Sequence, residues 1–210
     1  NDDEHAHGLG SAHDHAAAKM RAVAGRHSMV FDRLARFVAA GHRLVLVRGN
    51  HDLDFHWGAA RDAFVDAIAQ RAPHTADGVS NEQLQERIEF HPWFYYVEGL
   101  LYVEHGHQFD AMCNYPYLLA PISPADPSRL HWSLSDWLLR SVARPTSGLG
   151  SEGHGDCAAL DYVRFAWSLG VVGALRLGYR YARALAVSLR SGRHALTDGA
   201  RRRGLRPAGP

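Results

Sequence analysis

The sequence lacks three features that mark specialised classes of protein. It has only two cysteines, Cys113 and Cys157, which do not form the closely spaced pair of a zinc or redox site. No apolar run reaches the ~18 residues that a membrane-spanning helix needs, and the longest candidate, residues 165–175, falls well short. The first fifteen residues are acidic and histidine-rich, unlike a secretion signal. We therefore expect a cytoplasmic protein with reduced cysteines.

Lysine is also nearly absent, so that positive charge comes from arginine. Lys19 is the only lysine among 23 basic residues, which we attribute to genome composition. Acidic residues outnumber basic ones by six in residues 1–110, whereas basic residues outnumber acidic ones by seven in residues 111–210. From Arg176 onward there are nine arginines and a single acid, Asp198. Such a run is typical either of a solvated helix face with a basic tail, or of a surface that binds phosphate groups of lipid, nucleic acid or substrate.

The residue pattern predicts an α/β fold in the first 110 residues. With 46% apolar and 21% charged residues, the 210-residue chain can bury the core of one domain. A helix is expected to end at Gly41, and residues 43–47 follow as a strand that is buried on both faces. A second helix spans residues 59–71. The side chains expected in the core are Val30, Leu34, Phe37, Val38, Ala60, Phe64 and Ile68.

Further strands are predicted at residues 87–90, 94–97 and 100–104, with a hairpin turn at Glu98 and Gly99.

Residues 111–200 differ in composition from the first part. Four prolines interrupt residues 111–127, and two helices are predicted around residues 129–142 and 157–190. Aromatic residues among leucines and arginines in this half are typical either of a cap packed on the core, or of a surface for a lipid-bearing phosphorylated substrate or a membrane. We predict three parts: a partial core at residues 1–110, a helical insertion or cap at residues 111–200, and a basic tail at residues 201–210.

Four residues directly after the strand at 43–47 carry the strongest chemical signal. They are Gly49, Asn50, His51 and Asp52, called the GNHD loop below. The glycine permits a tight turn at the strand end. The side-chain oxygen of Asn50 is a hard, neutral metal ligand, and the next side chain, His51, can face a substrate. Asp52 could orient a histidine as carboxylates do in other catalytic pairs. Taken alone, the same pattern also occurs in ordinary polar loops.

A second polar cluster follows the strand at residues 100–104. His105 lies beside Gly106, about 55 residues after the GNHD loop. Because open α/β sheets place their ligands at the carboxyl ends of strands, we expect Asn50 and His105 to converge on one metal ion. The alternative for His105 is a capped loop histidine.

The first fifteen residues contain a further group of histidines: His5, His7, His13 and His15. His-x-His pairs can hold a structural metal. A flexible acidic loop is the simpler interpretation of this stretch.

The run from Leu44 to Asp52 resembles the third motif, Gly-Asn-His-(Asp/Glu), of the calcineurin-like metallophosphoesterase superfamily. Residues 101–107 resemble its fourth motif, a strand followed by His-Gly. The most similar branch contains the UDP-2,3-diacylglucosamine hydrolases, which also place Asp or His soon after that His-Gly. The resemblance covers residues 28–110, about 40% of the chain.

The resemblance implies an αββα sandwich with two divalent metal ions, commonly Mn, Fe or Zn. These ions would clamp phosphate oxygens and activate a bridging water for attack on phosphorus. Asn50 and His105 would ligate the same metal.

The catalytic and substrate roles follow from the same resemblance. His51 would contact the phosphate and protonate the leaving oxygen, and Asp52 would hold His51. His107 and Asp110 have no firm counterpart in the family, and we assign them to contact with the substrate or to support of the metal ligands.

Three motifs of the superfamily are missing from the sequence. Asp-x-His and Gly-Asp-x-x-Asp do not precede the GNHD loop, and Gly-His-x-His does not follow it. Gly106 and His107 begin like the last motif, but Phe109 stands where its second histidine belongs. We expect an internal fragment of a longer enzyme, with a degenerate relative as the alternative. Because two ligands are too few for a tight dimetal site, we expect little or no phosphatase activity from this chain alone.

The sequence therefore predicts a metallophosphoesterase, a hydrolase of phosphoester or pyrophosphate bonds. Its substrate would be a phosphorylated small molecule or a lipid-linked compound, with peripheral membrane contact as an open alternative and nucleic acid less expected. A second hypothesis is a catalytically incomplete relative whose basic helical half binds lipid, nucleic acid or a protein partner. A third is a structural metal-binding protein that uses the histidines of the first fifteen residues.

Overall fold

The computed structural model describes residues 9–72, 80–124, 126–144 and 167–203, with the backbone alone from residue 190. The helices in these ranges are α1 (His13–Arg26), α2 (Ser28–Ala39), α3 (Gly58–Ala69), α4 (Asn81–Glu86), α5 (Leu134–Leu138) and α6 (Gly170–Arg203). The strands are β1 (Leu44–Val47), β2 (Ile88–His91), β3 (Phe94–Val97) and β4 (Leu101–Glu104). Short 3-10 turns lie at Leu53–His56 and His107–Phe109, and a π-helical turn, Leu139–Ala143, continues α5.

The four strands form two separate sheets of two strands each. β1 pairs in parallel with β2, so that Val47 lies opposite His91. β3 and β4 form an antiparallel hairpin in which Phe94 lies opposite Glu104. The hairpin turn contains Gly99, whose φ of +70° is in the left-handed region that glycine tolerates. The predicted strands agree with these within one residue at each end, and the coarse α/β class is confirmed.

Burial of β1 differs from the expectation. All four residues of the strand are only half-buried. Leu44 and Leu46 pack against the main core, whereas Val45 and Val47 alternate to the other face and do not belong to it. The strand is therefore packed on one face among the described residues.

The main core lies between α2, α3, α4 and β2, with Phe64 of α3 in contact with three other rings. Its ring centroid is 5.4 Å from that of Phe31, 5.6 Å from Phe55 and 5.8 Å from Phe90, all in edge-to-face arrangements. Ala60, Phe64 and Ile68 are all buried, as predicted. Since α3 thus joins α2, β2 and the segment after the GNHD loop, this core supports the strand ends at which the candidate site lies.

The buried face of α2 differs from the prediction by one residue. Val30 and Phe37 were expected inside but are 55% and 45% exposed, whereas Phe31 and Ala35 are buried. The predicted and the observed sets of buried residues both satisfy helical spacing, because a second apolar residue directly follows each predicted one: Phe31 follows Val30, Ala35 follows Leu34 and Val38 follows Phe37. The other two predicted positions, Leu34 and Val38, do pack into the core.

Gly41 ends α2 as predicted. It has a φ of +97°, and its N–H donates to the Val38 carbonyl oxygen at 3.0 Å. The N–H of His42 donates to the Phe37 carbonyl oxygen at 3.4 Å, which completes a Schellman cap. This turn directs the chain into β1.

The helices of the second half begin later than predicted. Ser133 is the N-cap of α5 and forms a capping box with Asp136. The helix does not begin earlier, because the residues before Ser133 are extended and Leu130 forms a β-bridge with Ile122. Of the helix predicted at residues 157–190, the part before 167 lies outside the described residues, and residues 170–190 belong to α6. Among the described residues, none of the helices combines the length and apolar character needed to cross a membrane.

Candidate active site

The GNHD loop begins at the carboxyl end of β1. Arg48 extends the parallel pairing by one bond, since its N–H donates to the His91 carbonyl oxygen at 2.9 Å. The chain then leaves the sheet at Gly49 and enters the 3-10 turn, whose first residue, Leu53, is buried. Both ends of the loop are therefore anchored, one by the sheet and the other by packing.

The strand order brings His105 to the same edge of the structure. β2 ends at His91, beside the end of β1, and β3 starts shortly afterwards at Phe94. Because Phe94 lies opposite Glu104 at the end of β4, the hairpin returns the chain to the point where β2 ended. His105 follows Glu104 and so emerges next to the GNHD loop, despite their separation in the sequence.

Gly49 and His105 are in direct contact. A Cβ atom on Gly49 would lie 2.5 Å from His105 Cδ2, 2.6 Å from its Nε2 and 3.1 Å from Asp52 Oδ2. Real side chains do not tolerate the two shorter distances, so the imidazole ring rests on the bare Cα of Gly49. The glycine is thus required by this close approach, since it is not among the glycines with positive φ.

Asn50 is buried beside this contact, with 5% of its surface exposed. Its backbone carbonyl oxygen accepts a hydrogen bond from Tyr115. Its side-chain amide makes no hydrogen bond within the described part of the chain. No described hydrogen bond therefore occupies the amide oxygen, and its role as a metal ligand stays a prediction.

His51 and Asp52 are exposed at the tip of the loop. Their side chains are not hydrogen-bonded to each other within the described residues, so the expected support of His51 by Asp52 does not take that form. The Asp52 carboxylate instead lies beside Gly49, next to the His105 ring.

His107 is enclosed behind His105, with 5% of its surface exposed. Its ring centroid is 5.2 Å from that of His105 and 5.8 Å from that of Tyr115. Neither ring nitrogen has a hydrogen-bond partner among the residues that the structure describes. Burial lowers the pKa of His107, and the nearby charges of His105 and Arg48 lower it further, which keeps the ring neutral at pH 7. This position suits support of His105 better than contact with a substrate.

Asp110, the other residue assigned to substrate contact, stabilises a turn. Its Oδ1 accepts hydrogen bonds from the N–H groups of Met112 at 2.7 Å and Cys113 at 3.1 Å. The carboxylate is otherwise exposed. The described contacts of Asp110 therefore do not include the GNHD loop or His105.

Tyr115 is a site residue that the sequence did not reveal. Its hydroxyl oxygen lies 2.8 Å from the Asn50 carbonyl oxygen and 2.8 Å from Asp136 Oδ2, so its single proton is shared between two acceptors. Asp136 Oδ2 also accepts from the N–H and hydroxyl of Ser133, at 3.0 and 2.9 Å. Burial, and then the Asp136 carboxylate, raise the pKa of Tyr115, so the hydroxyl stays protonated at neutral pH. The hydroxyl thus joins the backbone of the GNHD loop to the N-terminus of α5.

Arg48 is a second buried residue that sequence reasoning left without a role. Only 4% of its surface is exposed. Its guanidinium group donates to the carbonyl oxygen of Leu118. It therefore connects the end of β1 to the proline-rich segment, as Tyr115 connects the loop to α5.

We expect Tyr115→Phe to lower the free energy of unfolding by about 1–3 kcal/mol, because the buried Asn50 carbonyl oxygen loses its donor. Urea denaturation measures the change. Tyr96→Phe is the matched control: Tyr96 is 57% exposed, so its free energy of unfolding should stay within about 0.5 kcal/mol of the parent. Equal stabilities for the two variants would contradict a structural role for the Tyr115 hydroxyl.

The described residues supply two candidate metal ligands here, which is fewer than a dimetal site needs. The amide oxygen of Asn50 and the imidazole of His105 belong to segments that meet at Gly49. Within the described residues, no three or more His, Cys, Asp or Glu side chains are grouped so that they could hold an ion. Two protein ligands give at most weak binding of a divalent ion.

The histidines near the start of the chain do not form a described cluster. His5 and His7 lie outside the described residues. His13 begins α1 rather than ending a loop. The Nδ1 atom of His15 accepts a hydrogen bond from the N–H of Gly10 at 2.8 Å, which occupies one of its two possible ligand atoms.

Comparison with protein-family models, curated proteins and solved structures gives no match for this chain.

Proposed function

We propose that this chain contributes to the metal-dependent hydrolysis of a phosphoester or pyrophosphate bond, as part of a longer enzyme. The proposal is supported by one observation above all, the packing of His105 on Gly49 of the GNHD loop. Metal-assisted phosphoryl transfer needs metal ligands from separate segments of the chain close to one another. This contact brings two such segments together. In the proposed αββα sandwich, the β1–β2 pair would belong to one sheet and the β3–β4 hairpin to the other.

Asn50 and His105 would hold one divalent ion, which could be Mn, Fe or Zn because amide oxygen and imidazole suit each of these. A bound metal pair supplies charge that stabilises the phosphate oxygens and lowers the pKa of the attacking water. His107 would fix the His105 ring from its buried side, through the ring contact between them. The ligands of the second ion would come from polypeptide outside the described residues.

His51 would act on the substrate. It is exposed at the tip of the loop, where it can bind a phosphate oxygen and donate a proton to the leaving oxygen.

The second candidate function is that of a catalytically incomplete relative whose basic helical half binds a partner. It is favoured by the arginines of α6, which no acidic residue accompanies before Asp198. Binding of phosphate at the GNHD loop distinguishes the two functions, since only the first requires it.

The test is a titration of the 210-residue chain with Mn²⁺, followed by inorganic phosphate at saturating Mn²⁺, with heats measured by calorimetry. We expect phosphate to bind only when Mn²⁺ is present. His51→Ala should weaken phosphate binding about tenfold, the loss of one hydrogen bond from a charged group, without changing the affinity for Mn²⁺.

His27→Ala is the matched control, since His27 is an exposed histidine between α1 and α2. It should leave both affinities unchanged. Phosphate binding that needs no Mn²⁺, or that His51→Ala leaves intact, would contradict the proposed function.

A further inference from the structure

Helix α6 exposes an apolar face along its described side chains. The face consists of Val171, Val172, Leu175, Tyr179, Leu185 and Leu189, which are between 42% and 78% exposed. The opposite side of the helix is the packed one, where Ala184 is buried with 1% exposure. Within the described part of the chain, these apolar side chains are therefore not the ones that pack α6 against other elements.

The apolar face is continuous. At 3.6 residues per turn its six residues fall within about 140° of the helix circumference, and they extend over about 27 Å of helix. Gly178 and Ala182 lie within the same arc, so the surface stays apolar between Tyr179 and Leu185. An apolar surface of this length that the described residues leave uncovered marks a contact site.

Arginines border this face on one side. Arg176 and Arg183 are exposed, and around the helix circumference they lie next to Val172 and Tyr179, which form one edge of the apolar face. From Gly170 to residue 197 the helix contains no acidic residue. The partner of this surface must therefore combine an apolar layer with negative charge.

The same face of a second copy of the chain does not meet both requirements. It would present the same arginines and no acid, so that two copies of the face would repel each other electrostatically. A nucleic acid supplies the negative charge but leaves the aliphatic side chains exposed to water. The interface of an anionic lipid bilayer supplies acyl chains and phosphate groups together, and it requires no matching shape.

We propose that the apolar face of α6 lies on an anionic membrane surface, with Val171, Leu175 and Leu189 inserted among the acyl chains and Arg176 and Arg183 at the phosphates. The surface involves none of the GNHD loop, so the proposal stands independently of the hydrolase function. It makes the chain a peripheral membrane protein through an interfacial helix rather than through a span.

The experiment is co-sedimentation of the 210-residue chain with vesicles of phosphatidylglycerol and phosphatidylcholine, compared with vesicles of phosphatidylcholine alone. We expect binding to the anionic vesicles that decreases as salt is added. The double variant Val171→Ser and Leu175→Ser should lower the partition coefficient about tenfold or more. Arg176→Gln with Arg183→Gln should lower it about tenfold at low salt and have little effect at high salt.

Met29→Ser is the matched control, because Met29 is 80% exposed on α2 and lies outside the apolar face. It should bind vesicles like the parent, and circular dichroism should show equal helix content in all variants. Binding that survives the Val171 and Leu175 substitutions, or that is absent from anionic vesicles, would overturn the proposal. Dimerisation or DNA binding through α6 would also overturn it, if the chain stays in the supernatant when the vesicles are sedimented.

Discussion

Gly49→Ala is expected to weaken Mn²⁺ binding by about 10–100-fold while the fold remains intact, because the substitution displaces a ligand without removing it. The added Cβ would stand 2.6 Å from His105 Nε2. His105 is exposed and can rotate, so the strain is relieved by moving the ring at a cost of about 0.5–1.5 kcal/mol. In the proposed site, the displaced ring would no longer reach the ion that Asn50 would ligate, so the weak binding by two ligands would be lost.

A double-mutant cycle makes the cause measurable. His105→Ala alone should reduce the affinity for Mn²⁺ at least as much as Gly49→Ala does. In the His105→Ala background, Gly49→Ala should have almost no further effect, since both act on the same ligand. Mn²⁺ binding can be followed by electron paramagnetic resonance of the free ion.

The control for the backbone is Gly58→Ala at the start of α3, where an added Cβ meets nothing closer than 3.9 Å. It should leave Mn²⁺ binding unchanged. Additive losses in the cycle would mean that Gly49 acts on something other than His105, which would contradict the proposed role of their contact. An unchanged affinity for Mn²⁺ in His105→Ala would contradict the assignment of His105 as a ligand.

Sequence patterns predicted the elements that carry the site because their signals are local. The strand before the GNHD loop, the β3–β4 hairpin and the end of α2 at Gly41 all depend on neighbouring residues, and each was confirmed within one residue. The convergence of His105 on the GNHD loop could be expected from the rule that ligands gather at strand ends. It follows in the structure from the register of β3 against β4.

Other features depend on long-range contacts, and local patterns do not report these. The Tyr115 hydroxyl contacts the Asn50 carbonyl oxygen across 65 residues of chain and also contacts Asp136 Oδ2. Nothing in the sequence around these residues indicates either contact. The inward face of α2 could not be chosen because Val30 and Phe31 are both apolar, and only packing against α3 selects the second. His107 stands in a motif-like position, but its burial depends on Tyr115 packing over it.

The site also depends on the core beneath it, which Phe64→Ala would test. Phe64 is 95% buried, as its exposure of 5% implies, and its ring contacts Phe31, Phe55 and Phe90. Removing the ring should lower the free energy of unfolding by about 3–5 kcal/mol, the loss of transfer energy plus a cavity. A typical domain has a free energy of unfolding of ~5–15 kcal/mol, of which this loss is a large share. A fraction of the molecules should therefore be unfolded at 37 °C.

Phe55 and Phe90 connect this loss to function. Phe55 lies in the 3-10 turn directly after the GNHD loop, and Phe90 lies in β2, which positions β1. We therefore expect Phe64→Ala to weaken Mn²⁺ binding in parallel with its loss of stability, and lowering the temperature or adding an osmolyte should restore both together. Gly49→Ala, by contrast, should lose binding that no stabilising condition restores. This difference separates damage to the fold from damage to the site.

Phe37→Ala is the matched control for Phe64→Ala, since it removes the same ring from a residue that is 45% exposed at the end of α2. Among the described aromatic rings, its ring stacks on that of His42, with centroids 4.5 Å apart, and its partial exposure should keep the loss below about 1 kcal/mol. Thermal and urea denaturation give both values. If Phe37→Ala proved as destabilising as Phe64→Ala, α2 would present to the core the face that the sequence pattern first predicted, and the packing of α2 against α3 described above would be wrong.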